Sequence, residues 1–243
     1  MNQFAELADL RILLWLNHWF SSHPTLYKTA LFLTDEGSDI AVVATGALLW
    51  FWPWRQRRLG DTDRRLDSRA RLLVFGAAAM AAYVVARMIA VNFDAPRPFV
   101  TYLPLRGTEG AFDGLRTFGT FPSDHAALLG ALPPAVLYWS RPLAAAWFAL
   151  ALVFISIRVG VGYHYPSDMI VGALIGMSLA TLGMVLYDNS RSIFRLANHV
   201  AAGFSRTPEA YFLYALLALV GVEFAMHFSH VLWFLLVVQG WLS

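Results

Sequence analysis

Three short polar clusters interrupt an apolar sequence and contain residue types suited to phosphate chemistry. They are Arg97-Pro98, Pro122-Ser123-Asp124-His125, and the segment from Arg158 through His164 to Asp168. Arginine guanidinium groups bind phosphate oxygens bidentately, and a serine hydroxyl together with the N–H groups at a helix start forms an anion site. We therefore predict that Arg97, Ser123 and Arg158 bind a phosphate group.

Two imidazoles and a carboxylate in the same clusters are suited to phosphoryl transfer. His164 lies four residues before Asp168, and Pro166 between them marks a helix start. The carboxylate can then fold back to accept a hydrogen bond from one ring nitrogen, which leaves the other nitrogen as a nucleophile. His125 is suited to protonate a leaving oxygen. We predict His164, Asp168 and His125 as the catalytic residues.

A metal site is the alternative interpretation of these side chains, because His125, His164 and Asp168 are all potential zinc ligands. Two neighbouring arginines would repel a cation, and the chain contains no cysteine. We therefore expect no metal and no cofactor.

The segments around the clusters indicate a membrane protein. Of the 243 residues 58% are hydrophobic and 14% are charged, whereas soluble domains average about 45–50% and about 25%. A spanning helix needs about 20 apolar residues. Six segments reach or approach that length, at 38–54, 72–93, 125–140, 143–161, 168–187 and 209–231. The expected fold class is all-α, a polytopic membrane helix bundle of about six spans.

We expect a single membrane phosphatase domain over residues 1–243. Residues 1–34 mix charged and apolar side chains at helical spacing, which predicts an N-terminal segment of helices that lie in the membrane interface; a seventh span is the alternative. The catalytic core is expected at 35–190, and an additional C-terminal span within 191–243.

Arginine distribution predicts the orientation in the membrane. Seven arginines lie between residues 55 and 71, and the positive-inside rule places that loop in the cytoplasm. Alternation of the spans then places 94–124 and 162–167, and with them all three clusters, on the outer or periplasmic face of the cell (inner) membrane. The net charge of +2 is too small to indicate nucleic-acid binding and fits an anionic bilayer surface.

The order and spacing of the clusters resemble the type 2 phosphatidic acid phosphatase family, which shares its site with the vanadium haloperoxidases. That family has an Arg-Pro cluster, then Pro-Ser-Gly-His, then Ser-Arg with a histidine six residues after the arginine and an aspartate four residues after that. The resemblance covers about residues 35–190. It implies a phosphohistidine nucleophile, an orienting acid, a leaving-group acid and three phosphate clamps, which would be His164, Asp168, His125, and Arg97, Arg158 and Ser123.

Three positions depart from the family pattern. Ala90 stands where the family often has a lysine, and Arg87, one helical turn earlier, is expected to bind the substrate phosphate in its place. A snorkelling role at the end of a span is the alternative for Arg87. Ile157 stands directly before Arg158, with Ser156 one position early.

Asp124 replaces the glycine of Pro-Ser-Gly-His. A carboxylate there would repel a phosphate unless it turned toward an arginine or toward His125. We interpret Asp124 as a residue of the first helical turn rather than as a catalytic acid.

The expected function is hydrolysis of a phosphomonoester or diphosphate of a membrane lipid. Pro-Ser-Asp-His together with Pro-Arg-Pro-Phe resembles the bacterial undecaprenyl-diphosphate phosphatases, so undecaprenyl diphosphate is the first choice of substrate. Phosphatidic acid, phosphatidylglycerol phosphate and a lipid A phosphate remain open. A phosphotransferase that uses the same histidine, and a non-catalytic lipid transporter or scaffold, are the alternative functions. The expected partners are the lipid phosphate and the phospholipid bilayer; oligomeric state has no sequence signal.

Overall fold

The computed structural model describes residues 3–34, 62–93, 95–101 and 119–204 of the chain. These residues form helices joined by short turns, without a β-strand among them. The helices are α1 (Gln3–Ser21), α2 (Pro24–Phe32), α3 (Thr62–Asn92), α4 (Pro98–Thr101), α5 (Asp124–Leu137), α6 (Arg141–Gly160), α7 (Pro166–Asn189) and α8 (Arg191–Phe204). The all-α fold class is therefore confirmed for this part of the chain.

Three of the described helices are long and apolar enough to cross a membrane, namely Leu66–Asn92 of α3, and the whole of α6 and α7. The predicted spans at 72–93, 143–161 and 168–187 fall on these helices. Large apolar side chains on them are exposed, including Val91, Val153 and Ile170. Such exposure is expected where the surrounding solvent is lipid.

The span predicted at 125–140 is present as a shorter helix. α5 has 14 residues and is therefore about 21 Å long, which is less than the roughly 30 Å of a bilayer core. It begins after the N-cap Ser123 and ends at Leu137, three residues before the predicted boundary. The predicted spans at 38–54 and 209–231 lie outside the described residues, so the total of six spans stays a prediction.

α5 occupies the centre of the described bundle and packs against α3, α6 and α7. A Cβ atom at Gly172 of α7 would collide with the carbonyl oxygen of Ser123, and one at Gly176 would collide with that of Ala127. Small residues thus allow the backbones of α5 and α7 to touch, as is common between membrane helices. This contact places Ser123 beside the first turn of α7.

The N-terminal helix packs on the end of α6. Leu13 and Phe20 are buried in one apolar cluster with Val159, and the Asn17 side-chain amide donates a hydrogen bond of 2.9 Å to the Gly160 carbonyl. An interfacial location of residues 1–34 and the division into 1–34, 35–190 and 191–243 stay predictions.

Candidate active site

Backbone hydrogen bonds join the three segments that carry the polar clusters. They run from Thr120 N to Ala95 O (2.9 Å), from Phe99 N to Gly162 O (3.2 Å) and from Ser123 N to Asp168 O (3.2 Å). The first two attach the segment around Arg97 to its neighbours, and the third attaches the start of α5 to α7. The clusters therefore meet at one end of the bundle, as the sequence predicts.

The turn between α6 and α7 sets the spacing of the third cluster. Arg158 lies in the last turn of α6 and Asp168 in the first turn of α7. Gly162 between them has a φ of 85°, a left-handed conformation that strongly favours glycine. This tight turn brings His164 into the space between the two helix ends.

The Nε2 atom of His164 faces the two predicted phosphate ligands. It lies 3.4 Å from Nη1 of Arg97 and 3.4 Å from Oγ of Ser123. His164 is only 2% exposed, and Ser123 is completely buried. One ring nitrogen is thus directed at both predicted phosphate ligands.

The Nδ1 atom of His164 faces Thr120, a residue that the sequence interpretation did not select. Nδ1 lies 3.0 Å from the carbonyl oxygen of Thr120 and 3.0 Å from its hydroxyl oxygen. The hydroxyl donates its hydrogen to Oδ2 of Asp168 over 2.6 Å. Because a carbonyl only accepts hydrogen bonds, Nδ1 carries the proton and Nε2 has the lone pair.

The expected direct hydrogen bond between His164 and Asp168 is replaced by this contact. The distance from Nδ1 to Oδ2 of Asp168 is 3.7 Å, which is too long for a hydrogen bond. Oδ2 instead accepts from the Thr120 hydroxyl and, at 2.8 Å, from the backbone N–H of Tyr165. Asp168 therefore acts on the ring through Thr120 and through its charge.

Burial keeps the His164 ring neutral. Removal from solvent lowers the pKa of His164 to about 4, an effect that Asp168 opposes and Arg97 and Arg158 reinforce. A neutral imidazole with a lone pair on Nε2 is the form required of a nucleophile.

Arg97 is a cation in contact with the imidazole of His164. Its Nη1 also donates a hydrogen bond of 3.1 Å to the carbonyl of Tyr163, which fixes the guanidinium. Burial lowers the pKa of Arg97 to about 10, and the charges of Asp124 and Asp168 act in the opposite direction. The side chain therefore remains charged at neutral pH.

Arg158 is 4% exposed and is positioned by the N-terminal helices. Its Nη2 donates a hydrogen bond of 2.6 Å to the carbonyl of Thr34, which lies directly beyond α2. The arginine thus depends on a segment that is more than 120 residues away along the chain.

Asp124 links the two remaining site residues. Its Oδ1 lies 2.8 Å from Nδ1 of His125 and also accepts the His125 backbone N–H over 2.8 Å. Its Oδ2 accepts a hydrogen bond of 3.3 Å from Nη1 of Arg87. Both orientations that would relieve repulsion of a phosphate, toward an arginine and toward His125, are present at once.

The seven predicted site residues thus form two connected groups. Arg97, Ser123 and Asp168 lie around His164, and Arg158 is near enough to interact with it electrostatically. His125 and Arg87 are joined through Asp124. Thr120 was missed because a lone threonine has no spacing signal; its place two residues before Pro122-Ser123 is the only sequence feature that relates it to the site.

Comparison with known proteins identifies a family whose model covers these segments. The family model described as the PAP2 superfamily matches residues 71–192, which include every predicted site residue. No solved structure gives a significant match.

Curated relatives cover different shares of the chain. The putative undecaprenyl-diphosphatase YbjG of Escherichia coli is 27% identical over 201 residues, which are 79% of this chain and 92% of that protein. The undecaprenyl-diphosphatase BcrC of Bacillus subtilis is 26% identical over 158 residues, 65% of this chain and 73% of that protein. The lipid A 1-phosphatase of Rhizobium etli is 35% identical over 86 residues, so that this chain spans only 37% of its length.

The family match covers half of the chain and contains all three polar clusters in the order and spacing found here. The chain therefore belongs to the PAP2 superfamily.

Proposed function

We propose that this protein is a membrane lipid phosphatase that hydrolyses a phosphomonoester or diphosphate through a phosphohistidine at His164. The orientation of the His164 ring carries this proposal. Thr120 holds Nδ1 in its protonated form, and Nε2 faces Arg97 and Ser123 at 3.4 Å. A phosphorus atom bound by those two groups would lie in front of the lone pair.

The cations around Nε2 support phosphate as the ligand. The Nε–H of Arg97 is buried and has no hydrogen-bond acceptor among the described residues, although buried donors are nearly always paired. A phosphate oxygen would be that acceptor. Arg158 is close enough to interact electrostatically with Arg97 and His164, and it supplies a second guanidinium for the same anion.

The reaction proceeds in two displacements. Nε2 of His164 attacks phosphorus, the bond from phosphorus to the leaving oxygen breaks, and His125 gives its proton to that oxygen. Water then loses a proton to His125 and attacks the phosphohistidine, which releases inorganic phosphate and restores neutral His164. The fixed guanidinium groups stabilise the charge on the equatorial oxygens in both transition states.

Undecaprenyl diphosphate is the proposed substrate, and the outer face of the cell membrane the proposed location of the site. The names of the two relatives with the widest coverage support the substrate. The arginines between residues 55 and 71 support the orientation. Phosphatidic acid, phosphatidylglycerol phosphate and a lipid A phosphate are the competing substrates.

Phosphate release by the purified protein tests the proposal. We expect release from undecaprenyl diphosphate without an added acceptor, and inhibition by vanadate as a mimic of the transition state. Replacement of the nucleophile in His164→Ala is expected to lower turnover by at least about 1,000-fold. His199→Ala, which alters an exposed histidine on α8, is the matched control and should retain full activity.

Three outcomes would contradict parts of the proposal. Full turnover in a folded His164→Ala protein would exclude the phosphohistidine. Phosphate release only in the presence of an acceptor lipid would indicate a phosphotransferase. An absence of release from all four lipids would indicate a transporter or scaffold.

A further inference from the structure

Asp124 occupies the position of the family glycine, and both of its carboxylate oxygens are engaged within the site. Oδ1 accepts two hydrogen bonds from His125, from Nδ1 and from the backbone N–H, each at 2.8 Å. Oδ2 lies 3.3 Å from Nη1 of Arg87. The carboxylate is 7% exposed, so these contacts are largely shielded from water.

The contact at Nδ1 determines which nitrogen of His125 can act on the substrate. An ionised carboxylate only accepts hydrogen bonds, so Nδ1 of His125 carries a hydrogen. Two hydrogen bonds from neighbouring atoms of one residue to a single oxygen also restrict rotation of the ring. Nε2 is therefore the ring nitrogen left to exchange a proton with a leaving oxygen, and it is held in one orientation.

Arg87 makes a carboxylate at this position compatible with a phosphate. Asp124 is close enough to the nucleophile group to interact electrostatically with Arg97 and His164, so its charge would otherwise oppose a bound anion. The guanidinium of Arg87 contacts the oxygen that is turned away from His125. Arg87 thus offsets the charge of Asp124 without displacing it from the imidazole.

A role limited to the helix start explains less. The N-cap of α5 is Ser123, whose hydroxyl accepts the N–H of Ala126 over 3.3 Å. An acidic residue in the first turn would favour the helix through its charge alone. That effect requires neither the contact with the imidazole nor the contact with Arg87.

We propose that Asp124, supported by Arg87, is a positioning residue that orients His125 as the acid for the leaving group. This inference rests on the proposed phosphatase function. It predicts that loss of Asp124 affects substrates in proportion to how much protonation their leaving groups need. A nitrophenolate leaves unprotonated, a lipid monophosphate released from a diphosphate needs little assistance, and a lipid alcohol needs the most.

Turnover of Asp124→Asn and Asp124→Gly on three substrates tests the proposal. We expect a loss of about 30-fold on a lipid phosphomonoester, an intermediate loss on undecaprenyl diphosphate, and less than about threefold on p-nitrophenyl phosphate. The activated substrate also reports folding, because its turnover still requires His164 and the phosphate ligands.

A double-mutant cycle with His125→Gln provides the matched comparison. If Asp124 acts through His125, adding Asp124→Asn to His125→Gln should cause less than about a twofold further loss. Equal losses on all three substrates, or a full additional loss in the His125→Gln background, would overturn the proposal. Failure of the proposed function would look different, because the unaltered protein would then release no phosphate from any of them.

Discussion

The site contains two histidines that are each associated with an aspartate, and the two associations differ in construction. His164 and Asp168 are both buried and lie 3.7 Å apart, with the Thr120 hydroxyl between them. His125 and Asp124 are adjacent in sequence and touch directly at 2.8 Å. Asp124 in turn contacts Arg87.

The difference matches two chemical tasks. A nucleophile must be neutral, and burial with an indirectly placed carboxylate keeps His164 neutral. A leaving-group acid must direct one ring nitrogen at the substrate, and a carboxylate in direct contact with the opposite nitrogen holds the His125 ring in that orientation. The two proposed roles, nucleophile for His164 and leaving-group acid for His125, thus correspond to two different placements of the carboxylate.

The largest expected effect comes from removing the negative charge of Asp168, which lies in the buried pair with His164. Asp168→Asn should lower turnover by about 1,000-fold, because the imidazolium character that develops at His164 loses its stabilising carboxylate. Turnover of undecaprenyl diphosphate and the amount of trapped phosphohistidine are the measurements. Asp188→Asn is the matched control, since Asp188 lies at the opposite end of the same helix and pairs with Arg71 over 2.8 Å. A tenth or more of normal turnover in Asp168→Asn would show that the charge is dispensable.

A smaller effect is expected from removing the group between His164 and Asp168. Thr120→Val keeps the shape of the side chain and deletes its hydroxyl, which leaves Asp168 without one hydrogen bond. A loss of roughly 1–3 kcal/mol corresponds to a decrease in turnover of about 5- to 150-fold. Thr120→Ser retains the hydroxyl and should stay within about threefold of normal. Equal behaviour of the valine and serine variants would contradict a role for the hydroxyl.

The smallest effect is expected from lowering the pH. Burial lowers the pKa of His164 to about 4, whereas an ordinary histidine gains its proton near 6.5. The neutral nucleophile therefore persists as the pH falls through 6.5 and is lost only as it approaches about 4. With saturating p-nitrophenyl phosphate, the rate of phosphohistidine formation should change less than about threefold between about pH 7 and about pH 5.5. A midpoint near 6.5 in that rate would show that the ring is not protected by burial.

The sequence predicts the meeting of distant residues better than it predicts their hydrogen bonds. Arg97, Ser123 and Arg158 could be selected because buried arginines are costly in apolar segments and a serine at a helix start can help to bind an anion. The hydrogen bond from Nδ1 of His164 could not be predicted, because its acceptor is the backbone carbonyl of Thr120. Every residue type has such a carbonyl, so residue type gives no information about this contact. The sequence therefore predicts a direct hydrogen bond between Asp168 and the imidazole, whereas the structure has the Thr120 hydroxyl between them.

Helix ends show the same limit. An apolar run continues through residue 140, but α5 ends at Leu137 and the next helix begins at Arg141 after the N-cap Ser140. Hydropathy shows which segments can lie in lipid, whereas the residue at which a helix ends depends on local capping contacts. The contact between Arg87 of α3 and Asp124 of α5 likewise cannot be predicted from hydropathy.

The N-terminal helix has a consequence for how the protein matures during synthesis. Its Asn17 and Asp9 bond to residues that are 143 and 158 positions later in the chain. Ribosomes deliver α1 long before α6 and α7 exist, so its inner face remains without those partners until they have been synthesised. The enzyme can therefore become competent only in a final docking step, after the stretch around Ser167 has emerged. Nascent chains that end earlier would contain Arg97 and Ser123 but would lack His164 and Asp168.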